Sequence, residues 1–109
     1  MTTLSTPLIS LITEALEDVK AKDLECWSTA HLPSLFDTLI IATGDSSRQC
    51  KALAHRVACY LREQHYPVLG IEGLANGEWV LVDCGTVLVH IMQPAQRTYY
   101  NLAELWASS

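Results

Sequence analysis

The chain has 109 residues, half of them hydrophobic and only 17% charged, which excludes a disordered protein and supplies enough apolar surface for a core without disulfide or metal staples. Seven basic residues against twelve acidic ones leave a formal net charge of -5, which argues against broad nucleic-acid binding, DNA included, and suits a basic protein partner. There is no run of about 18 apolar residues, and the N-terminus lacks the basic and apolar segments of a signal peptide, so the expected setting is the cytosol, away from membranes.

Thr6 followed by Pro7 reads as an N-cap with proline at the first helical position, and Leu8, Ile12, Ala15, Leu16 and Val19 recur at helical spacing, which predicts a helix over residues 7–21. Its other side carries Glu14, Glu17, Asp18 and Lys20, a solvated acidic face. Residues 24–28, with Trp27, alternate weakly as a short strand, and residues 29–34, with Pro33, form a loop. Residues 38–43, TLIIAT, are continuously apolar and rich in β-branched types, as in a central strand covered on both faces. After Gly44, Ser46 and Gln49 fit a capping box that opens a long helix reaching about His65. Cys50, Leu53, Ala54, Val57, Ala58 and Leu61 form its buried stripe. The same helix holds Arg48, Lys51, Arg56 and Arg62, more than half of all basic residues. Pro67 stops it, residues 68–72 form a strand, and GLANG at residues 73–77 is a turn.

Residues 78–92, EWVLVDCGTVLVHIM, read as a complete β-hairpin with two unlike faces. A two-residue loop at Cys84 and Gly85 places Asp83 opposite Thr86, Leu81 opposite Leu88 and Trp79 opposite His90. Alternation then gathers Val80, Val82, Val87, Val89 and Ile91 on an aliphatic face fit to lie under helices. The other face carries Trp79, Leu81, Leu88, His90, Asp83 and Thr86, too apolar for plain solvent and too polar for ordinary core, as expected of a surface that meets a partner. Gln93-Pro94 opens a last helix with Tyr99, Leu102, Leu105 and Trp106 as its buried stripe. The order α-β-β-α-β-β-β-α predicts an α/β (α+β) fold, a sheet of about five strands flanked by helices in a single domain spanning residues 1–109.

Four tests for chemistry give little. Glycine and serines at residues 44–47 open a helix, where backbone N–H groups can hold a phosphate, but Asp45 places a carboxylate where the anion would sit. A two-metal nucleotidyl-transfer site needs paired carboxylates on the following strand, which offers Glu72 alone. His90 and Asp83 share a face, yet the expected register separates them by four or five residues at about 3.3 Å each, too far for a dyad. The four cysteines, Cys26, Cys50, Cys59 and Cys84, include no C-x-x-C pair and read as buried free thiols, and His55 with Cys59 at i, i+4 near Cys50 is a weak zinc motif. No cofactor and no resident metal are expected. RNA binding along the basic helix is offset by Glu63 and by the overall acidity.

TGDSSRQCKALA at residues 43–54, Glu72-Gly73, GEWVLVDCG at 77–85, VLVHIMQP at 87–94 and R-x-x-Y-x-L-x-x-L-W from Arg97 to Trp106 together resemble the Iojap or ribosomal silencing factor family over nearly the whole chain. The resemblance implies a small non-enzymatic translation factor that binds ribosomal protein fourteen of the large ribosomal subunit and blocks joining of the small subunit. It also implies a mixed five-stranded sheet with flanking helices, a fold related to nucleotidyltransferases without their catalytic carboxylates. Two positions depart from the family pattern: Thr86 follows the hairpin glycine and Ala103 follows the leucine of the last motif, where the family usually has acidic residues. The contact surface expected from alternation and charge is Glu72, Trp79, Leu81, Asp83, His90 and Met92, with Trp79 and Leu81 as apolar anchors and Glu72 and Asp83 meeting basic side chains. A homodimer formed through the same face is expected at high concentration. The alternatives are a ribosome assembly factor that binds ribosomal RNA and a degenerate nucleotidyltransferase-like enzyme.

Overall fold

The structure, a computed structural model, describes residues 6–28 and 37–100, with side chains at residues 7–28 and 37–97. Eight elements follow in the expected order: α1 (Thr6–Asp18), β1 (Lys22–Ser28), β2 (Thr38–Thr43), α2 (Ser47–Glu63), β3 (Gly70–Glu72), β4 (Trp79–Asp83), β5 (Val87–Met92) and α3 (Pro94–Tyr100). The strands make one mixed sheet in the order β1-β2-β5-β4-β3, with β2 and β5 parallel and the other neighbours antiparallel. The predicted loop at residues 29–34, and Leu102, Leu105 and Trp106 of the predicted last stripe, lie outside the described residues, as do the side chains of Thr6 and Tyr99.

α1 and α2 pack side by side on the aliphatic face. Ile12, Leu16, Leu53, Val57 and Leu61 meet Val80, Val82, Val89 and Ile91, all with no exposed surface, and each such side chain contributes roughly 1.5–3 kcal/mol through burial. β2 is buried along its whole length, as its unbroken apolar run predicts. The acidic face of α1 is exposed as expected, and two of its carboxylates reach across to α2: Asp18 pairs with Arg56 at 3.0 Å and Glu14 accepts from the Tyr60 hydroxyl at 2.9 Å.

The Ser46 half of the capping box forms as predicted, and the return bond from Gln49 goes one residue further back than the N-cap. Ser46 Oγ accepts from the Gln49 N–H at 3.1 Å, and Gln49 Oε1 reaches back to the Asp45 N–H at 2.7 Å. Gln49 Nε2 also donates to the carbonyls of Val19 and Lys20, so one side chain ties the start of α2 to the end of α1. Both long helices end sooner than predicted, and for the same reason. At α1, the Ala21 N–H returns to Leu16 O and the Lys20 N–H to Glu17 O; at α2, Tyr66 returns to Leu61 O and His65 to Arg62 O. This is the Schellman pattern, with Lys20 (φ 61°) and His65 (φ 65°) in the left-handed position that glycine usually marks. β1 begins two residues earlier than predicted, with its pairing interrupted between Lys22 and Glu25, where Asp23 adopts φ 49°. β3 is shorter than predicted, although the Leu69 N–H still bonds Asp83 O.

The hairpin turn lies one residue further along than predicted. The Cys84 N–H bonds Val87 O, so Gly85 and Thr86 form the two-residue loop. Gly85 takes φ 86° in first position, the preference of a type II′ turn, and its N–H is held by Asp83 Oδ1 at 3.0 Å. Each cross-strand partner therefore moves by two: Leu81, not Trp79, faces His90, Trp79 faces Met92, and Asp83 faces Leu88. An even shift leaves every strand side chain on its predicted face. Only Thr86 leaves the sheet, as an exposed loop residue.

The thiols divide. Cys50 and Cys84 are buried as expected, whereas Cys26 and Cys59 are exposed. Burial pushes the Cys84 thiol up to about 12. Cys50 points into the core while His55 and Cys59 face outward from α2, so the drawn zinc set does not converge.

Candidate partner-binding face

The face opposite α1 and α2 has a buried floor and an open end. Leu39, Ile41 and Met92 are at most 1% exposed and form a small second core, with Trp27, Trp79 and Leu88 packed half-buried against it. Glu25 and Trp27 join this face from β1, opposite Ile41 and Leu39. Local alternation in β1 is too weak to reveal them. Arg97 of α3 closes this side of the sheet: its guanidinium donates to Thr43 Oγ1 at 2.8 Å, to the Asp23 carbonyl and to the Glu25 carboxylate. A 16% exposed arginine spanning α3, β1 and β2 anchors the last helix, and nothing local in the sequence marks it for that role.

The base of the hairpin is fixed on the other side by Gln93. Its Nε2 donates to Ser47 Oγ at 3.0 Å and to Gly77 O at 3.2 Å, and its N–H bonds Glu78 O. Gly77 is buried with φ 69°, and a Cβ there would stand 2.8 Å from Ser47 O. The turn before β4 thus sits directly on the first residue of α2, which holds Trp79 at a fixed height on the open face.

Of the six predicted contact residues, five remain available. Trp79, Leu81, Asp83 and His90 are half-buried on the open end, and Glu72 is exposed opposite Leu81. Met92 is the correction. It lies on the predicted face but is 0% exposed beneath its neighbours, so it supports the surface rather than offering area to a partner.

Trp79 and His90 form the centre. They are diagonal neighbours across β4 and β5, with ring centroids 5.6 Å apart, and Trp79 Nε1–H donates to His90 Nδ1 at 2.8 Å. Indole N–H can only donate, so Nδ1 must carry the lone pair and the imidazole proton resides on Nε2. Burial lowers the His90 pKa to about 4, which keeps the ring neutral at pH 7. The corrected register brings Asp83 to within two ladder positions of His90, closer than expected. Even so, Asp83 Oδ1 is engaged by the Gly85 N–H and His90 Nδ1 by Trp79, an arrangement that positions side chains for contact rather than passing a proton between them.

At the other candidate, the start of α2, Asp45 is exposed and pairs with Lys22 at 2.7 Å. Glu72 is the one carboxylate on β3. Among the described residues no three His, Cys, Asp or Glu side chains converge as metal ligands, and no helix is long and apolar enough to cross a membrane.

Comparison with known proteins gives one answer. A family model described as "Ribosomal silencing factor during starvation" matches residues 2–109. A ribosomal silencing factor RsfS of Chromobacterium violaceum is 53% identical over 96 residues, covering 88% of this chain and 79% of that protein. One from Zymomonas mobilis is 36% identical, covering 91% and 74%. A crystal structure of a Chromobacterium violaceum protein superimposes with a TM-score of 0.91 at 50% identity, over 94% of this chain and 85% of that one.

Proposed function

The chain belongs to the ribosomal silencing factor family, and we propose that it lowers translation in the cytosol by binding ribosomal protein fourteen on the large ribosomal subunit and so blocking the small subunit from joining. The observation that carries this reading is the open face built on the Trp79–His90 pair. It combines a rigid aromatic anchor, half-buried Leu81, and the carboxylates of Glu72 and Asp83 at its rim. Aromatic anchors at the centre with charged groups at the edge are the usual anatomy of a protein interface, and the acidic rim complements a basic ribosomal protein. The protein acts by occupancy and not by catalysis, since His90 is a neutral ring tied to an indole and β3 offers one carboxylate.

Light scattering on purified subunits tests the proposal. Added to separated subunits, the protein should reduce their association, while preformed couples should resist because the site is covered. Equal splitting of preformed couples, or co-sedimentation with the small subunit alone, would overturn the reading. The same half-apolar face gives a self-complementary contact in the free protein, a C2 homodimer at high concentration. A strict monomer at millimolar concentration in analytical ultracentrifugation would exclude it.

A further inference from the structure

We propose that the outer side of α2 is a second docking surface, for RNA phosphates, which works alongside the open sheet face when the protein sits on the large subunit. The inference rests on the ribosome-binding reading above. It starts from how the seven basic side chains are used. Lys22, Arg56 and Arg97 are paired with Asp45, Asp18 and Glu25. The remaining four, Lys20, Arg48, Lys51 and Arg62, have no carboxylate partner among the described residues, and three of these lie on α2.

At 3.6 residues per turn, Arg48, Lys51, His55 and Arg62 fall within an arc of about 60° on α2, and the stripe from Arg48 to Arg62 runs about 21 Å. Arg48, His55 and Arg62 are exposed and Lys51 half-exposed. The core residues of the same helix, Leu53, Val57 and Leu61, point the other way. Arg56 and Tyr60 mark the flank that faces α1, through their bonds to Asp18 and Glu14, so the stripe occupies the opposite flank, clear of the acidic helix. Glu63 projects toward the α1 side of the wheel, and Asp45, before the first turn, is already engaged by Lys22.

The net charge of -5 does not oppose this. At physiological ionic strength charges beyond about 8 Å are largely screened, so a ligand at the stripe meets the local field and not the sum over the molecule. Glu72 and Asp83 belong to the open face, while Arg48, Lys51 and Arg62 lie on α2, which covers the other face beside the acidic α1. A ribosomal surface presents basic protein next to anionic RNA backbone. A molecule with carboxylates on its open sheet face and a separate basic stripe on α2 fits such a junction, and a sequence-independent phosphate contact needs no base-reading groups.

The test replaces the three cations by glutamine (Arg48→Gln, Lys51→Gln, Arg62→Gln) in the full chain, with circular dichroism to verify the fold. Large-subunit affinity is then measured from 50 to 200 mM salt, and affinity for isolated ribosomal protein fourteen in parallel. Three phosphate contacts at roughly 0.7 each give a log–log salt slope about 2 steeper in the parent, so its affinity should fall roughly 15-fold more than the variant's over that range. Binding to the isolated ribosomal protein should be unchanged. Equal slopes and affinities on the subunit would show the stripe to be a solvated face and overturn the proposal. Equal losses on subunit and isolated protein would assign the stripe to an acidic protein patch and overturn it as well. Failure of the parent chain to bind the large subunit at all would instead strike the ribosome-binding reading itself, a result distinct from either.

Discussion

Acid should unfold this protein partly through His90. The unfolded chain takes up a proton on this imidazole near pH 6.5, whereas the folded one resists until about pH 4 because the ring is buried. Between those values the unfolded state binds more protons, so stability is fully present above pH 6.5 and falls as pH drops toward 4. At 1.36 kcal/mol per pH unit the window amounts to about 3 kcal/mol. The Trp79 hydrogen bond points the same way, since Nδ1 accepts that N–H only while it is unprotonated. The assay is urea denaturation from pH 7 to pH 4 on the parent and on His90→Leu, a swap that removes the titration and keeps an apolar side chain against Trp79. Carboxylates titrate in both proteins and cancel in the difference. The parent should therefore lose about 3 kcal/mol more than the variant across the window. Parallel pH profiles would refute the reasoning, because His90 would then be as easily protonated folded as unfolded and its place in the Trp79 pair would be wrong.

Trp79→Ala and Val80→Ala should fail differently: the first should weaken large-subunit binding by about 2 kcal/mol or more with a smaller loss of stability, and the second should lose about 1 to 3 kcal/mol of folding free energy while the folded fraction still binds. Denaturation paired with binding on both variants checks this, and the reverse pattern would exchange the two faces. Gly77→Ala should destabilise by about 3 kcal/mol, because its Cβ would meet Ser47 O at 2.8 Å in a left-handed backbone. Gly85→Ala, with φ 86° but nothing within 4 Å, should lose only about 1 kcal/mol; equal losses in thermal melts would deny the contact between the turn and α2. His65→Gly should raise stability by about 0.5 kcal/mol by relieving the left-handed strain at the end of α2, and a lowered melting temperature would count against that cap.

The hairpin shows why much of the fold could be read in advance. Alternation of Val80, Val82, Val87, Val89 and Ile91 fixes a face whatever the exact pairing, so moving the turn from Cys84-Gly85 to Gly85-Thr86 left both faces intact. Statements about particular pairs did not have that protection. Asp83 lies closer to His90 than the expected register allowed, and Trp79 reaches His90 diagonally. Helix ends were less legible, since Lys20 and His65 stand where glycine would have announced a stop. Burial on the open face was the least legible. Met92 alternates as a surface residue, and only the tertiary packing of Leu39 and Ile41 from β2 beside it shows that it is floor. Arg97 and Gln93 join elements far apart in sequence, which no local pattern records.

The Trp79–His90 pair also bears on why this face can be covered by a partner at low expense. Burying an indole N–H or an imidazole without hydrogen bonds costs roughly 1–3 kcal/mol for each orphaned group. Here the indole N–H and Nδ1 satisfy each other within the free protein, and the neutral ring avoids the far larger penalty of burying a charge. What remains for the partner to satisfy at the centre is the Nε2–H of His90, while the carboxylate of Glu72 lies at the exposed rim, where water or a basic side chain can reach it. The face is therefore already largely arranged for desolvation before anything binds. Its affinity should depend on the aromatic anchor and on one well-placed acceptor opposite His90, more than on the number of charges around it.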